Sequence, residues 1–292
     1  MRRPALLLLV ALAGVACFYQ PPAQPPSSVR ILYSKSTSDS LGADVDIYFV
    51  VARSGNELRL TGEEGVDRQP VFDAGELRVY FTRETGGRSE IWSMAFDGSD
   101  ERRVLGADGA DYRDPAPSPD GARLAYTRVQ GGPSQVVVAD AEGTEPRVVT
   151  AGRQPAWSPD GRTLAVVTDQ GGVPRIQLVG PDGGAARPLS VEPGAQAEPA
   201  WHPDGSRIAF KRGAGNAAEI AVATVAGGGI AVLTDNGVED GQPDWSPAGD
   251  RVVFVSRLSD GKWGLRIVGA EGGEVETFLE RDDVDAADPD WL

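Results

Sequence analysis

Beyond residue 29 the chain alternates short apolar runs with polar, glycine-containing breaks, and no stretch repeats its apolar positions at a helical spacing. Apolar pairs two residues apart recur at Val79/Phe81, Leu124/Tyr126, Leu164/Val166, Ile208/Phe210 and Val252/Phe254. That spacing places both side chains on one face of a strand. A second series of strands is predicted from Glu90-Ile-Trp-Ser-Met94, Gln135-Val-Val-Val-Ala139, Arg175-Ile-Gln-Leu-Val179, Glu219-Ile-Ala-Val-Ala223 and Leu265-Arg-Ile-Val268. Glycine-containing turns follow at Asp97-Gly98, Asp182-Gly183, Gly227-Gly228 and Gly272-Gly273, and then a short last strand near Val104, Val148, Leu189, Leu233 and Phe278.

Each unit is introduced by one phrase. It reads Pro155-Ala-Trp157-Ser-Pro-Asp160-Gly161 in full, with variants beginning at Pro115, Pro199 and Pro243 and degenerate copies at Pro70-Val-Phe72 and Pro289-Asp-Trp291. The proline of Ser-Pro-Asp-Gly fixes φ and the glycine accepts a positive φ, which is hairpin chemistry. The first prolines, at 70, 115, 155, 199, 243 and 289, are 45, 40, 44, 44 and 46 residues apart. A four-stranded propeller blade takes ~40–45 residues, so the period predicts an all-β propeller. No Pro-x-Trp hairpin precedes the first strand-like segment, Ile31-Leu-Tyr33, and an inner strand reappears at Asp288-Pro-Asp-Trp-Leu292. The expectation is therefore a six-bladed β-propeller closed by its C-terminal strand, which pairs with the N-terminal blade and leaves no long open edge.

The Pro-x-Trp-Ser-Pro-Asp-Gly hairpin, followed by a strand of the Ile208-Ala-Phe210 kind, resembles the propeller repeat of the TolB family. That repeat is shared with other bacterial envelope proteins and with the propellers of prolyl oligopeptidase-like peptidases. The resemblance covers roughly residues 30–292 and implies the fold; it implies function weakly, because the repeat serves many partners. Family members carry an α/β domain ahead of the propeller, or a hydrolase domain in the peptidases. Neither is expected here, so the reading is a stand-alone propeller.

The N-terminus speaks to compartment. Met1-Arg-Arg-Pro, an apolar run from Ala5 to Ala13 and Gly14-Val-Ala-Cys17 read as a secretory signal too short to span a bilayer. Small residues before the one cysteine of the chain resemble a bacterial lipobox, which implies that Cys17 is acylated. Ordinary cleavage after Ala16 is the alternative. Phe18 stands where an Asp would signal inner-membrane retention, so the outer membrane is favoured. The expected division is a signal peptide at 1–16, lipidated Cys17 with a Pro-rich tether through 29, and the propeller at 30–292. The expected location is periplasmic or cell-surface.

The net charge of −15 becomes −17 once Arg2 and Arg3 leave with the leader. No basic patch is visible to neutralise phosphates, so nucleic acid is not an expected partner, and membrane contact is expected only through the acyl anchor. The expected partner is a basic envelope protein or peptide, bound by a monomer. Candidate chemistry is sparse. His202 is the one histidine and fills the Ser slot of its own hairpin (compare Ser158 and Ser246). No Gly-x-Ser-x-Gly elbow occurs. Gly213-Ala-Gly215-Asn-Ala-Ala218 leads into a strand, so it presents no helix N-terminus to a phosphate. The repeat Trp157, Trp201, Trp245 and Trp291 read as blade-packing residues.

One constellation remains. The segments ahead of the repeat prolines carry Asp67, Asp111, Asp114, Glu198, Glu239, Asp240, Asp282, Asp283, Asp285 and Asp288; only the segment ending Arg153-Gln154 departs from this. In a propeller these segments share one face around the channel mouth. Asp67, Asp111, Asp114, Glu198, Glu239, Asp240, Asp285 and Asp288 are therefore the candidate partner-binding acids. Neutralising Asp114, Asp240 and Asp288 together is expected to weaken binding without harming the fold. No catalytic residue and no cofactor is assigned, although an oxygen-rich mouth suits a hard cation such as Ca²⁺. The alternative function is a carbohydrate-active or hydrolytic propeller using channel carboxylates. A purely structural spacer, its acids solvated and turn-forming, is the third reading.

Overall fold

The computed structural model describes residues 29–36, 45–51, 56–62, 65–279 and 285–292. The expected signal peptide, Cys17, the tether through residue 28, and Asp282 and Asp283 lie outside the described residues. Among those described there is no α-helix, and Gly215–Ala217 forms a single 3-10 turn leading into the strand Glu219–Thr224.

Four-stranded antiparallel sheets recur along the chain. Asp111–Pro117, Arg123–Val129, Gln135–Asp140 and Arg147–Ala151 pair in chain order. The same meander is repeated by Arg153–Trp157 to Arg187–Pro188, by Gln196–Trp201 to Ile230–Val232, and by Asp240–Trp245 to Glu276–Leu279. Val66–Asp73, Arg78–Thr85, Arg88–Ala95 and Arg102–Leu105 form another such set. The remaining strands combine the two ends of the chain: Asp285–Trp291 pairs with Arg30–Ser36, which pairs with Val45–Val51, and Glu57–Arg59 follows. Ile31 lies opposite Trp291 and Ser36 opposite Asp285. One parallel bridge, Val45 to Val66, joins these last two sets.

The i, i+2 patterning has a direct cause, because each middle strand is packed on both faces. Along Arg251–Arg257, Val252 and Phe254 enter the core shared with Ile220, Val222 and Trp245, while Val253 and Val255 enter a different core with Ile31, Tyr33 and Trp291. Phe254 is fully buried, which stabilises the fold by about 1.5–3 kcal/mol for that side chain. Every apolar cluster spans two neighbouring sheets. The cluster of Val29, Ile31, Tyr33 and Val50 with Val253, Val255, Leu265 and Ile267 packs the sheet that combines the two ends of the chain against the sheet Asp240–Trp245 to Glu276–Leu279.

The Ser-Pro-Asp-Gly segments are tight hairpin turns. In one, Gly161 N–H donates to Ser158 O at 2.8 Å, Ser158 Oγ donates to Asp160 and accepts from Thr163 N–H, and Gly161 has φ 67°. The strand starts predicted from Leu124, Leu164 and Val252 follow directly from these turns.

Candidate functional site: the channel, its belt and its two chambers

The residue ahead of each repeat proline is Gln69, Asp114, Gln154, Glu198, Gln242 or Asp288, and all six are left-handed, with φ between 51° and 55°. A side chain there costs about 1–2 kcal/mol, and the strand register slips at each position. Hydrogen bonds offset that cost. Asp114 N–H donates to Gln69 Oε1 (3.1 Å), Gln154 N–H to Asp114 Oδ2 (3.2 Å) and Glu198 N–H to Gln154 Oε1 (3.2 Å). Gln242 N–H donates to Glu198 Oε2 (2.7 Å), Asp288 N–H to Gln242 Oε1 (2.9 Å) and Gln69 N–H to Asp288 Oδ2 (3.2 Å). The series returns to its starting residue. Amide and acid alternate around this belt, so the Nε2 groups of Gln69 and Gln242 also donate to Asp114 and Asp288. A carboxylate only accepts, and a primary amide supplies the missing donor. The belt and the repeat prolines line a neck of about 170 Å³.

On the side from which the inner strands enter the belt lies a mouth pocket of about 350 Å³, lined by Arg68, Glu198, Lys211, Glu239, Trp263 and Asp285 among others. Three of the eight predicted acids, Glu198, Glu239 and Asp285, are brought together here. Burial raises the Glu198 carboxyl above its ordinary value, with Lys211 opposing the shift. Lys211 Nζ sits 2.6 Å from Glu239, and Asp285 accepts from Trp263 N–H at 2.9 Å. The mouth thus holds both signs of charge. The other predicted acids are engaged elsewhere. Asp114 and Asp288 belong to the belt, and Asp111 accepts from Ser89 N–H. Asp67 is 1% exposed and takes two 2.7 Å hydrogen bonds from Arg83. Asp240 is fully buried against Ser256 and Asn236.

Past the belt is a second chamber of about 580 Å³, lined by the repeat prolines, Phe72, Trp157 and Trp201, with Asp73, Asp244, Asp288 and Asp290 as its charged residues. The repeat indoles reach back one unit: Trp157, Trp201 and Trp245 Nε1 donate to the carbonyls of Ala116, Ala156 and Ala200. His202 is buried, with its ring edge-on to Trp245 at 4.6 Å and Nε2 3.0 Å from Gly249 O. Among the described residues no three His, Cys, Asp or Glu side chains are grouped to hold a metal ion.

The amides Gln69, Gln154 and Gln242 were not among the predicted site residues; their signal is a polar residue ahead of every repeat proline. Asp244 and Asp290 were not among them either. Their signal was an acid in the Pro-x-Trp slot that Ala116, Ala156 and Ala200 fill elsewhere.

The sequence profile of the TolB beta propeller domain matches residues 12–154 and 115–292. The chain belongs to that family. An uncharacterized protein of Agrobacterium fabrum is 33% identical over 81 residues, 28% of this chain and 27% of that protein, so the match spans little more than a quarter of the curated relative. TolB from Acinetobacter baumannii superposes with a TM-score of 0.79 at 19% identity, over 91% of this chain and 67% of that one. A TolB-type protein from Agrobacterium tumefaciens gives 0.70 at 22%, over 91% and 99%. A puromycin-hydrolyzing peptidase of Mycobacterium tuberculosis gives 0.61 at 22%, over 85% and 44%. At these identities the structural likeness speaks to fold. The TolB-type repeat accounts for the recurring four-stranded units of this chain, and family membership leaves the ligand of its pockets open.

Proposed function

We propose that this TolB-family chain is an exported, lipid-anchored six-bladed propeller that binds a basic envelope protein or peptide at its mouth pocket and performs no chemistry itself. The observation that carries the reading is the grouping of Glu198, Glu239 and Asp285 beside Trp263 in one open pocket of about 350 Å³. Carboxylates and an aromatic wall complement a Lys- or Arg-bearing segment. Lys211 and Arg68 in the same pocket would orient that segment by repelling its cations and pairing with its acids. The six-blade count and the sealed ring draw support from the returning hydrogen-bond series and from the apolar cluster between the first and last sheets. The chain-end reading, with Cys17 acylated and the protein held at the outer membrane, rests on the leader and the residues around that cysteine. No cofactor is required; Ca²⁺ is the cation an oxygen-lined mouth would accept.

Binding of Lys/Arg-rich peptides to the mature protein, read by fluorescence anisotropy at low and high salt, tests the mouth. Glu239→Gln is expected to weaken binding about 3–10-fold at low salt and little at high salt, since exposed charge is screened over ~8 Å at physiological ionic strength. Equal affinity of wild type and variant at both salts would overturn the assignment. Cys17→Ser is expected to shift the protein from the membrane to the soluble fraction, and unchanged fractionation would remove the anchor from the reading.

A further inference from the structure

Asp244 and Asp290 lie on neighbouring inner strands, Asp240–Trp245 and Asp285–Trp291. Each reaches the strand that follows it around the channel: Trp291 N–H donates to Asp244 Oδ2 at 2.7 Å, and Phe72 N–H donates to Asp290 Oδ2 at 2.9 Å. The C-terminal strand is therefore fastened to both of its flanking inner strands by a carboxylate. Elsewhere in the repeat the equivalent residue is Val71, Ala116, Ala156 or Ala200, which offers no such fastening.

The electrostatics of the chamber are one-sided. Asp73, Asp244, Asp288 and Asp290 line it, and among the described residues no Lys, Arg or His does. Asp73 Oδ1 accepts from the amides of Gly75 and Glu76, and Asp288 is occupied in the belt. The cations on the packed strands are turned elsewhere. Lys35 bonds Glu57, Arg207 bonds Glu271, Lys211 bonds Glu239, and Arg212 and Arg251 sit near Glu192 and Glu276. Arg257 covers Trp263, Arg266 reaches the Leu265 carbonyl, Arg68 lines the mouth and Arg30 is exposed. The remaining acids on those strands, Asp67, Glu198, Glu219, Asp240 and Asp285, are bonded to Arg83, Gln242, Thr234, Ser256 and Trp263. Among the described residues no cation neutralises a second charge on the pair. Burial raises the Asp244 carboxyl to about 7, and burial together with the Asp244 charge holds Asp290 well above the ordinary carboxylate range.

We propose that Asp244 and Asp290 hold a proton between them at neutral pH and form a proton-operated latch on the C-terminal strand. The latch is shut while one carboxyl is neutral. It loosens when both ionise, because two like charges then share a chamber that no cation among the described residues lines. The sign follows from linkage. Both groups bind protons more tightly folded than unfolded, so their stabilisation is complete below the ordinary Asp value; its loss begins as pH rises through about 7, where Asp244 ionises, and is complete only when Asp290, held up by burial and by the Asp244 charge, ionises after it.

The test is carboxyl-carbon NMR of the wild-type protein, with hydrogen exchange of the Trp291 and Phe72 amides and melting temperature followed from about pH 5 to about pH 9, the span around an Asp value displaced upward. One carboxyl is expected to titrate near 7, and both amides should lose protection, beyond the intrinsic pH effect, over the same interval. Asp244→Asn should remove the Asp244 titration and move the Asp290 titration, and the step in Tm with it, downward, because the Asp244 charge no longer holds Asp290 up. If that variant does not fold, Asp290→Asn serves, and the wild-type titration decides regardless. Two carboxyls titrating in the ordinary Asp range, or a step in Tm that stays at the same pH in the Asn variant, would overturn the proposal.

Discussion

The backbone N–H of Gln69 donates to Asp288 Oδ2 at 3.2 Å although the two residues are 219 positions apart. The same carboxylate also accepts from Ser34 Oγ at 2.8 Å and from the Gln242 side chain. One acid thus ties together the strands Val66–Asp73, Arg30–Ser36 and Asp240–Trp245. Asp288→Ala should destabilise the protein by about 2–4 kcal/mol, since each buried donor left unmatched costs ~1–3 kcal/mol. Asp288→Asn, which keeps an acceptor and tolerates a positive φ, should cost less. Urea unfolding of the two variants decides; equal, near-zero effects would mean that the belt is not under strain.

This finding changes what the acids ahead of the prolines mean. Their place ahead of the prolines was legible from a period near 45, as were the strand pairs and the return of the last strand to the first. Their bonding was not. A residue before proline is ordinarily expected in extended conformation, and only the left-handed turn at Asp114, Glu198 and Asp288 points each N–H at the neighbouring unit. Substituting Asp114, Asp240 and Asp288 together therefore tests the fold before it tests a binding surface. Glu239, whose carboxylate is taken up by Lys211 at the pocket edge, isolates the mouth better. Asp244 and Asp290 were hidden for a different reason: Pro-Asp-Trp reads as a harmless variant of Pro-Ala-Trp until the chamber beyond the belt is seen to be lined, among the described residues, by acids and by no cation.

Asp67 and Arg83 form a buried pair, 1% and 6% exposed at their side chains, and the guanidinium also reaches Glu101 at 2.5 Å and lies over Trp92. Arg83→Met should cost about 3–5 kcal/mol because it strands a buried carboxylate. Asp67→Leu with Arg83→Met should recover a large part of that loss, since neither charge then needs compensation. A double variant as unstable as the worse single one would show that Arg83 acts mainly through Glu101 and its aromatic contacts.

Gly249 has φ 72°, and a Cβ built on it would lie 2.3 Å from His202 Nε2. Gly249→Ala should therefore cost the left-handed penalty of about 1–2 kcal/mol plus the clash with an imidazole locked against Trp245. Restoring the repeat's own residue with His202→Ser should remove the clash and leave the backbone cost. The double-mutant cycle is thus expected to show favourable coupling, and additivity would place the His202 ring away from this turn.

The last prediction concerns alkaline pH. Tyr126 is 1% exposed, and burial raises its phenol to about 12, with Arg128 opposing the shift and Asp108 adding to it. Burial raises Tyr112 and Tyr80 as well, and the Tyr112 hydroxyl donates to Asp108 at 2.8 Å. Each phenol is held neutral in the fold more firmly than in the unfolded chain, where it ionises near 10. The associated stabilisation is therefore complete below about pH 10 and is lost as pH climbs through about 12. For Tyr126 alone the loss should reach about 2–3 kcal/mol, the equivalent of a two-unit displacement. Tyr126→Phe keeps the ring against Tyr112 at 5.7 Å and removes the titrating group, so its urea midpoint should fall less steeply with pH than wild type. Phenolate absorbance should rise in two stages, exposed tyrosines first and the buried ones only as the protein unfolds. A single rise near the ordinary tyrosine value, with parallel midpoints for wild type and variant, would show that water reaches Tyr126 and that the core between its two sheets is looser than its packing indicates.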